Sequence, residues 1–288
     1  MARHALSPSP RTARIAGALE SLYAHYNARG FVYPDPLAPV LRFTEPRDQE
    51  IAGLIAASLA FGNVKTILAS VDAVLAHLPQ PYADVMRHPP AHWNRVLKGF
   101  RHRYVGGAEM AGLVCGIRRV LIAYGSLEAC FCAGLRAGDT HSVGALAHFV
   151  EALQAEQPLE KNYLLPHPAR GSACKRHFMY LRWMVRHDAV DLGLWPGVAP
   201  RLLVYPMDTH LYRMARLLQF TRRKTADLKT ALEVTGRFAR ICPEDPVRYD
   251  FCLTRLGIRR EDEADFWAQV RGADSGQARG KTEDGYVP

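Results

Sequence analysis

The stretch Pro206-Met207-Asp208-Thr209-His210-Leu211-Tyr212-Arg213 sets an acidic residue at the mouth of an amphipathic helix. Leu211, Met214, Ala215 and Leu218 follow at the i, i+3, i+4, i+7 spacing of an apolar helical stripe. Asp208 therefore reads as an N-cap whose carboxylate accepts backbone N–H bonds from the first turn. Those donors and the helix dipole both favour an ionised carboxylate. Such a group, fixed beside a cleft, can stabilise a developing positive charge or orient a nucleophile. A purely structural cap has the same local sequence, so the surroundings must separate the two.

Upstream lies Leu165-Pro166-His167-Pro168-Ala169-Arg170-Gly171-Ser172-Ala173-Cys174-Lys175-Arg176. Ser172 reads as the N-cap of a helix that buries Phe178, Leu181 and Val185. Lys175 then falls in the first turn, where the helix dipole disfavours a cation, one route to a neutral, nucleophilic amine. The plainer alternative is a solvated lysine on a basic helix that also carries Arg176, Arg182 and Arg186.

Apolar, helically periodic segments recur at 50–61, 66–78, 109–123, 143–155, 174–186, 208–219 and 225–241. With no run of alternating strands and no βαβ rhythm beside them, the expected fold class is all-α. At 288 residues and 48% hydrophobic content the chain is long enough for one two-lobed domain or two small ones. The segment from Glu50 to Phe61 reads as a core helix with a stop at Gly62, followed by Asn63. Residues 1–14, with Ser-Pro-Ser-Pro and no apolar core, read as a flexible basic tail, and 271–288 as a disordered one. The folded region is expected over 15–265.

Thirty-seven Lys and Arg against 28 acids give a formal charge of +9, which suits a phosphate-rich partner and is also common on proteins that bind no nucleic acid. Basic clusters fall at Arg101–Arg103, Arg118–Arg119, Lys175–Arg186 and Arg222-Arg223-Lys224. Six cysteines, at 115, 130, 132, 174, 242 and 252, form no Cys-x2-Cys pair, so no metal site is expected. No signal peptide and no 18-residue apolar span stand out, and the expected setting is cytoplasmic, with reduced thiols and no membrane partner.

The octapeptide at Asp208 resembles the Val-Asp-Thr-His-Val-x-Arg-Val motif of the helix-hairpin-helix DNA glycosylase superfamily, the relatives of endonuclease III. There the aspartate is the catalytic carboxylate. Gly171 with Lys175 at i+4 is similar to the Gly-Val-Gly-x-Lys hairpin of the bifunctional members, whose lysine attacks the sugar. Ala173 replaces the second hairpin glycine, and the Leu-Pro-Gly-Val-Gly spelling is missing. Asp208 follows Lys175 by thirty-three positions, a long insert that resembles the archaeal 8-oxoguanine glycosylases. The insert holds Trp183, Asp188, Asp191, Trp195 and a turn at Pro196-Gly197-Val198, itself a second hairpin candidate but too close to Asp208 to leave room for a helix and return loop. Gly99-Phe100-Arg101-His102-Arg103-Tyr104 is similar to a Gly-Tyr-Arg-Ala-x-Tyr segment of those enzymes, and equally to a basic surface turn. The likeness runs loosely from about residue 48 to 260, ending near Arg255-Leu256-Gly257-Ile258, and places the chain with an uncharacterised bacterial family distantly related to these glycosylases.

What the resemblance implies is a two-lobed helix-hairpin-helix fold acting on double-stranded DNA with a damaged base, as a monomer near the nucleoid. Lys175 and Asp208 would be the catalytic pair. Gly171, Ser172, Arg176, Asn63, Arg101, Arg103, His210 and Arg213 would face the DNA. No cofactor is implied, the four-cysteine iron–sulfur loop of endonuclease III being absent after Cys252. An oxidised purine such as 8-oxoguanine would be the substrate, with Tyr104, Trp183 and Trp195 open as core residues or base-stacking ones. Three other readings stay open: a monofunctional glycosylase with a structural Lys175, a non-catalytic DNA-binding module, and a basic helical protein with an RNA or protein partner.

Overall fold

The computed structural model describes residues 9–154, 162–259 and 262–272. The chain divides into two compact units, one from its two ends (1–27 and 249–288) and one from the continuous segment 28–248.

The end unit begins with α1 (Pro10–Tyr26). The expected tail therefore stops short of Arg14. Ser9 caps the helix by accepting the Thr12 N–H, and Pro10 stands at N1, where its missing N–H costs nothing. The Ser-Pro pair that suggested a flexible segment is a helix start.

The continuous unit opens with α2 (Pro46–Ser58), α3 (Val64–Leu75), α4 (Pro81–Arg87) and α5 (Pro90–Val96). Three of these four carry proline at the first helical position, the same start signal. A two-stranded antiparallel hairpin follows, β1 (Arg101–His102) on β2 (Val105–Gly106), with Arg101 opposite Gly106 and His102 opposite Val105. This is the segment whose sequence is similar to the glycosylases' Gly-Tyr-Arg-Ala-x-Tyr and equally to a basic surface turn. It is too short for alternation to reveal, and Arg103 turns it in the left-handed region at φ 53°. Then come α6 (Gly107–Tyr124), α7 (Leu127–Ala133), α8 (Val143–Gln154), α9 (Lys175–Val185), α10 (Thr209–Leu217) and α11 (Leu228–Phe238). The end unit resumes with α12 (Asp250–Arg259) and α13 (Glu263–Arg271), both packed on α1. There Tyr26 Oη donates to Asp262 at 2.6 Å, and Tyr249 Oη to Glu20 at 2.5 Å. Among the described residues the fold is all-α apart from the β1–β2 hairpin and a single bridge between His187 and Leu192. Residues 1–8 and 273–288, the greater part of the two expected tails, lie outside the described residues. No single helix among those described is long and apolar enough to cross a membrane.

The core of the continuous unit forms around α9, which packs on α2 and buries nine of its eleven residues. Tyr180 of α9, Phe149 of α8, Phe131 of α7 and Trp195 of the following insert make one aromatic cluster, with ring centroids 5.4–6.4 Å apart. Trp195 Nε1 donates to the buried Glu50 carboxylate at 2.7 Å, and the Glu128 N–H donates to the same oxygen at 3.0 Å. Burial raises the Glu50 carboxyl above its usual range, and these donors oppose it. Trp195 and Trp183 are thus core residues, at 1% and 0% exposure, while Tyr104 stands 64% exposed. Gly116 of α6 meets α8 so closely that a Cβ would sit 2.3 Å from the Leu153 carbonyl oxygen.

Candidate active site

Lys175 is the first residue of α9, reached through a loop the sequence only partly foretells. A single 3-10 turn at Pro168–Arg170 ends on Gly171, whose φ of +75° is the left-handed conformation glycine tolerates. Cys174 is left-handed as well, at φ 46°, and occupies the N-cap position without a side-chain cap bond. Ser172 is therefore not the N-cap: its Oγ accepts the Cys174 N–H at 3.2 Å, before the helix begins. The second left-handed step at Cys174 shifts the helix start two residues along. Its thiol, buried and donating to the Pro166 carbonyl at 3.4 Å, is pushed up to about 11 by burial.

Asp208 caps α10 as expected. Oδ1 accepts the Leu211 N–H at 2.8 Å, and Oδ2 lies 3.9 Å from Lys175 Nζ. The two oxygens thus divide their work, one holding the helix and one facing the amine. The Lys175 and Asp208 side chains are 32% and 33% exposed, so the pair is open to a ligand yet partly screened from water. Met179, one turn along α9, brings its Sδ to 3.7 Å from Lys175 Nζ. His210 is half-buried in the first turn of α10, and Arg213 is exposed further along it.

A second group of expected residues gathers at the turn between α2 and α3. Asn63 is the N-cap of α3, its Oδ1 accepting the Lys65 N–H at 2.9 Å, and it is exposed. Gly62 before it has φ +105°, and the Arg103 side chain lies so close that a Cβ there would meet it at 3.0 Å. Arg101 and Arg103 are both exposed on the hairpin. The hairpin is tied down by His102, whose Nε2 bonds to the Phe61 carbonyl at 3.0 Å and whose Nδ1 pairs with Ser70 at 2.9 Å.

Arg176 departs from its expected role on DNA. Its guanidinium donates to the Ser58 and Tyr163 carbonyls and stacks over Phe61 at 4.7 Å. Burial pulls it down to about 10. The group is spent tying the end of α2 to the loop before α9. Arg182 and Arg186, which the plainer alternative set on a solvated basic helix, are also internal. Arg182 pairs with Asp191 at 3.2 Å, and Arg186 with Asp188 at 2.8 Å, Asp245 at 2.9 Å and Asp191. Burial alone would lower Arg186, and the three carboxylates more than reverse that, holding it charged. Of that basic cluster, Lys175 is the member presented beside the site.

The structure therefore brings Lys175 and Asp208 together, and separately gathers Asn63, Arg103 and Arg176 at the Phe61–Gly62 turn. Phe61, Tyr163 and Met179 complete these two groups and were not singled out from sequence. Met179 alone had a signal, its i+4 spacing from Lys175. Among the described residues no group of three His, Cys, Asp or Glu side chains is placed to hold a metal ion.

A family model described as "Protein of unknown function (DUF2400)" matches residues 35–259, and the chain belongs to that family. No curated protein and no solved structure matches it.

Proposed function

We propose that this DUF2400 member is a DNA base-excision glycosylase with an associated abasic-site lyase step, on a helix-hairpin-helix glycosylase-like fold. The observation that carries the reading is the Lys175–Asp208 pair. An amine and a carboxylate, each seated at a helix N-terminus and each partly exposed, stand 3.9 Å apart.

The chemistry follows from that pair. A damaged base leaves the stack at a cost of roughly a few kcal/mol, least for a weakened base pair. Lys175 Nζ, once deprotonated, bonds to the anomeric carbon as the bond to the base breaks. The base departs with that electron pair and takes up a proton. Asp208 Oδ2 stabilises the positive charge developing on the sugar. Ring opening gives a Schiff base between Lys175 and the sugar, and elimination from it breaks the strand. Arg101 and Arg103 offer exposed cations to the backbone phosphates. An oxidised purine such as 8-oxoguanine is the proposed substrate, on the long Lys-to-Asp insert and the Gly99-Phe100-Arg101 likeness.

The same ion pair supports a second reading. If Lys175 stays protonated against Asp208, the carboxylate orients water and the enzyme is monofunctional. Single-turnover base release from a panel of lesion duplexes separates the two. Asp208→Asn should lower release by roughly 10²–10⁴-fold under either reading. Lys175→Ala should abolish release and strand scission under the first, and leave release substantially intact under the second. No release from any lesion by the unmodified protein contradicts both.

A further inference from the structure

Seven large apolar side chains stand exposed among the described residues, and two of them bring their rings together at a tilt. Tyr104, 64% exposed, and Tyr163, 49% exposed, have ring centroids 5.5 Å apart and planes tilted by 30°. They come from distant segments, the hairpin and the loop that leads to α9. Both stand on fixed backbone. The hairpin is pinned through buried His102 to Phe61 and Ser70, and the Tyr163 carbonyl is held by Arg176. A packed core has no use for two rings left in water, and contiguous exposed aromatic surface marks an interaction site.

The surroundings specify the partner's chemistry. The Arg103 guanidinium lies 5.5 Å from the Tyr104 ring centre, and Arg101 is exposed on the same hairpin. Tyr163 also shares the wall of a cavity of about 190 Å³ with Pro166, His167 and Arg170. Exposed π faces with arginines on the same segments fit nucleic-acid bases with their phosphates, since every base has a face to stack and every linkage a negative charge. A base-paired duplex keeps its faces covered, so the surface fits an unpaired strand.

We infer that Tyr104 and Tyr163 form a stacking platform for the bases of an unpaired, undamaged DNA strand, with Arg101, Arg103 and Arg170 taking its phosphates. The choice of DNA over RNA rests on the proposed function, whereas the platform itself needs neither Lys175 nor Asp208. Fluorescence anisotropy with the full chain tests it, using a labelled thymidine dodecamer, a blunt duplex of the same length and a uridine ribo-dodecamer. The single-stranded DNA should bind more tightly than the duplex. The Tyr104→Ala/Tyr163→Ala variant should lose roughly five- to hundredfold in its affinity for that strand, while Tyr104→Phe/Tyr163→Phe retains it. Both rings are exposed, so the alanine variant should unfold at the wild-type temperature. Unchanged single-strand binding by the alanine variant overturns the inference, as does a wild-type preference for duplex. Binding confined to the ribo-oligonucleotide overturns the assignment to DNA. No binding to any oligonucleotide overturns it and leaves the face to a protein partner. Base release from lesion duplexes keeps the two claims apart. Release by an alanine variant that binds single strands normally sinks the platform alone, and platform binding without release sinks the glycosylase reading alone.

Discussion

Asp208 caps α10 with one oxygen and faces Lys175 with the other, so its structural role and its proposed chemical one can be tested apart. Because asparagine caps a helix about as well as aspartate, Asp208→Asn should leave thermal stability near wild type while base release collapses. Asp208→Ala should lose the cap as well, at about 1 kcal/mol, read as a lower unfolding midpoint in denaturant. His177 makes the opposite point, a titratable group with no visible chemistry. It is fully buried on α9, and among the described residues neither ring nitrogen has a hydrogen-bond partner. Burial first, then the charge of Arg176 and the neighbouring His167, pushes it down to about 3. The unfolded chain therefore takes up a proton below about pH 6.5 that the folded chain refuses, and stability present above that pH is lost on acidification. Between pH 7 and 5 the share of His177 in that loss should be roughly 2 kcal/mol, read as the difference in pH dependence between wild type and His177→Leu in urea unfolding at both pH values. The placement of Lys175 and Asp208 at helix starts was legible because it rests on local sequence, a helix start and its flanks. The fates of Arg176, Arg182 and Arg186 were not, since periodicity assigns polar positions to solvent and cannot see carbonyls or carboxylates brought from elsewhere.

Among elements, the long periodic helices matched their expected spans to within a few residues, because an apolar stripe is visible wherever a helix has a single buried face. α1, α4, α5, α7 and α13 were not among the expected helices. α4, α5 and α7 have seven residues each, too few to show a period, and their proline or serine starts are the signals that could have found them. α1 opens inside the segment read as a tail, and its own Ser9-Pro10 start was the signal passed over. α9 is the instructive element. Its buried surface extends nearly all round, and the insert that follows supplies Trp195 to the aromatic core and Asp188 and Asp191 to the arginines. What reads in the sequence as an insertion between two catalytic residues is a plug in the core. Close helix contacts give a sharper test of the packing. Gly116→Ala would drive a Cβ into the Leu153 backbone, which cannot swing aside as a side chain could. It should cost roughly 1–3 kcal/mol or more. Gly17→Ala, where nothing lies within 4 Å, should instead gain roughly 0.4–1 kcal/mol. Equal effects in thermal denaturation would contradict the α6–α8 packing.

For the whole molecule, the basic clusters of the sequence, rather than its net charge of +9, overstate the surface open to a phosphate backbone. Arg182 and Arg186 are neutralised internally and Arg176 is bound to carbonyls, so an electrostatic footprint must come from exposed positions such as Arg101, Arg103 and Arg213. Duplex affinity should weaken steeply with salt. Arg101→Ala and Arg103→Ala should each flatten the log–log slope by about one unit, whereas Arg182 lies outside that count. The most direct test of the central claim is borohydride trapping on an 8-oxoguanine duplex, with the adduct located by peptide mass. The expected result is a covalent protein–DNA species attached at Lys175, absent in Lys175→Ala and strongly reduced in Asp208→Asn. No trapped species on any lesion, or one that survives Lys175→Ala, would contradict the assignment of Lys175 as the nucleophile.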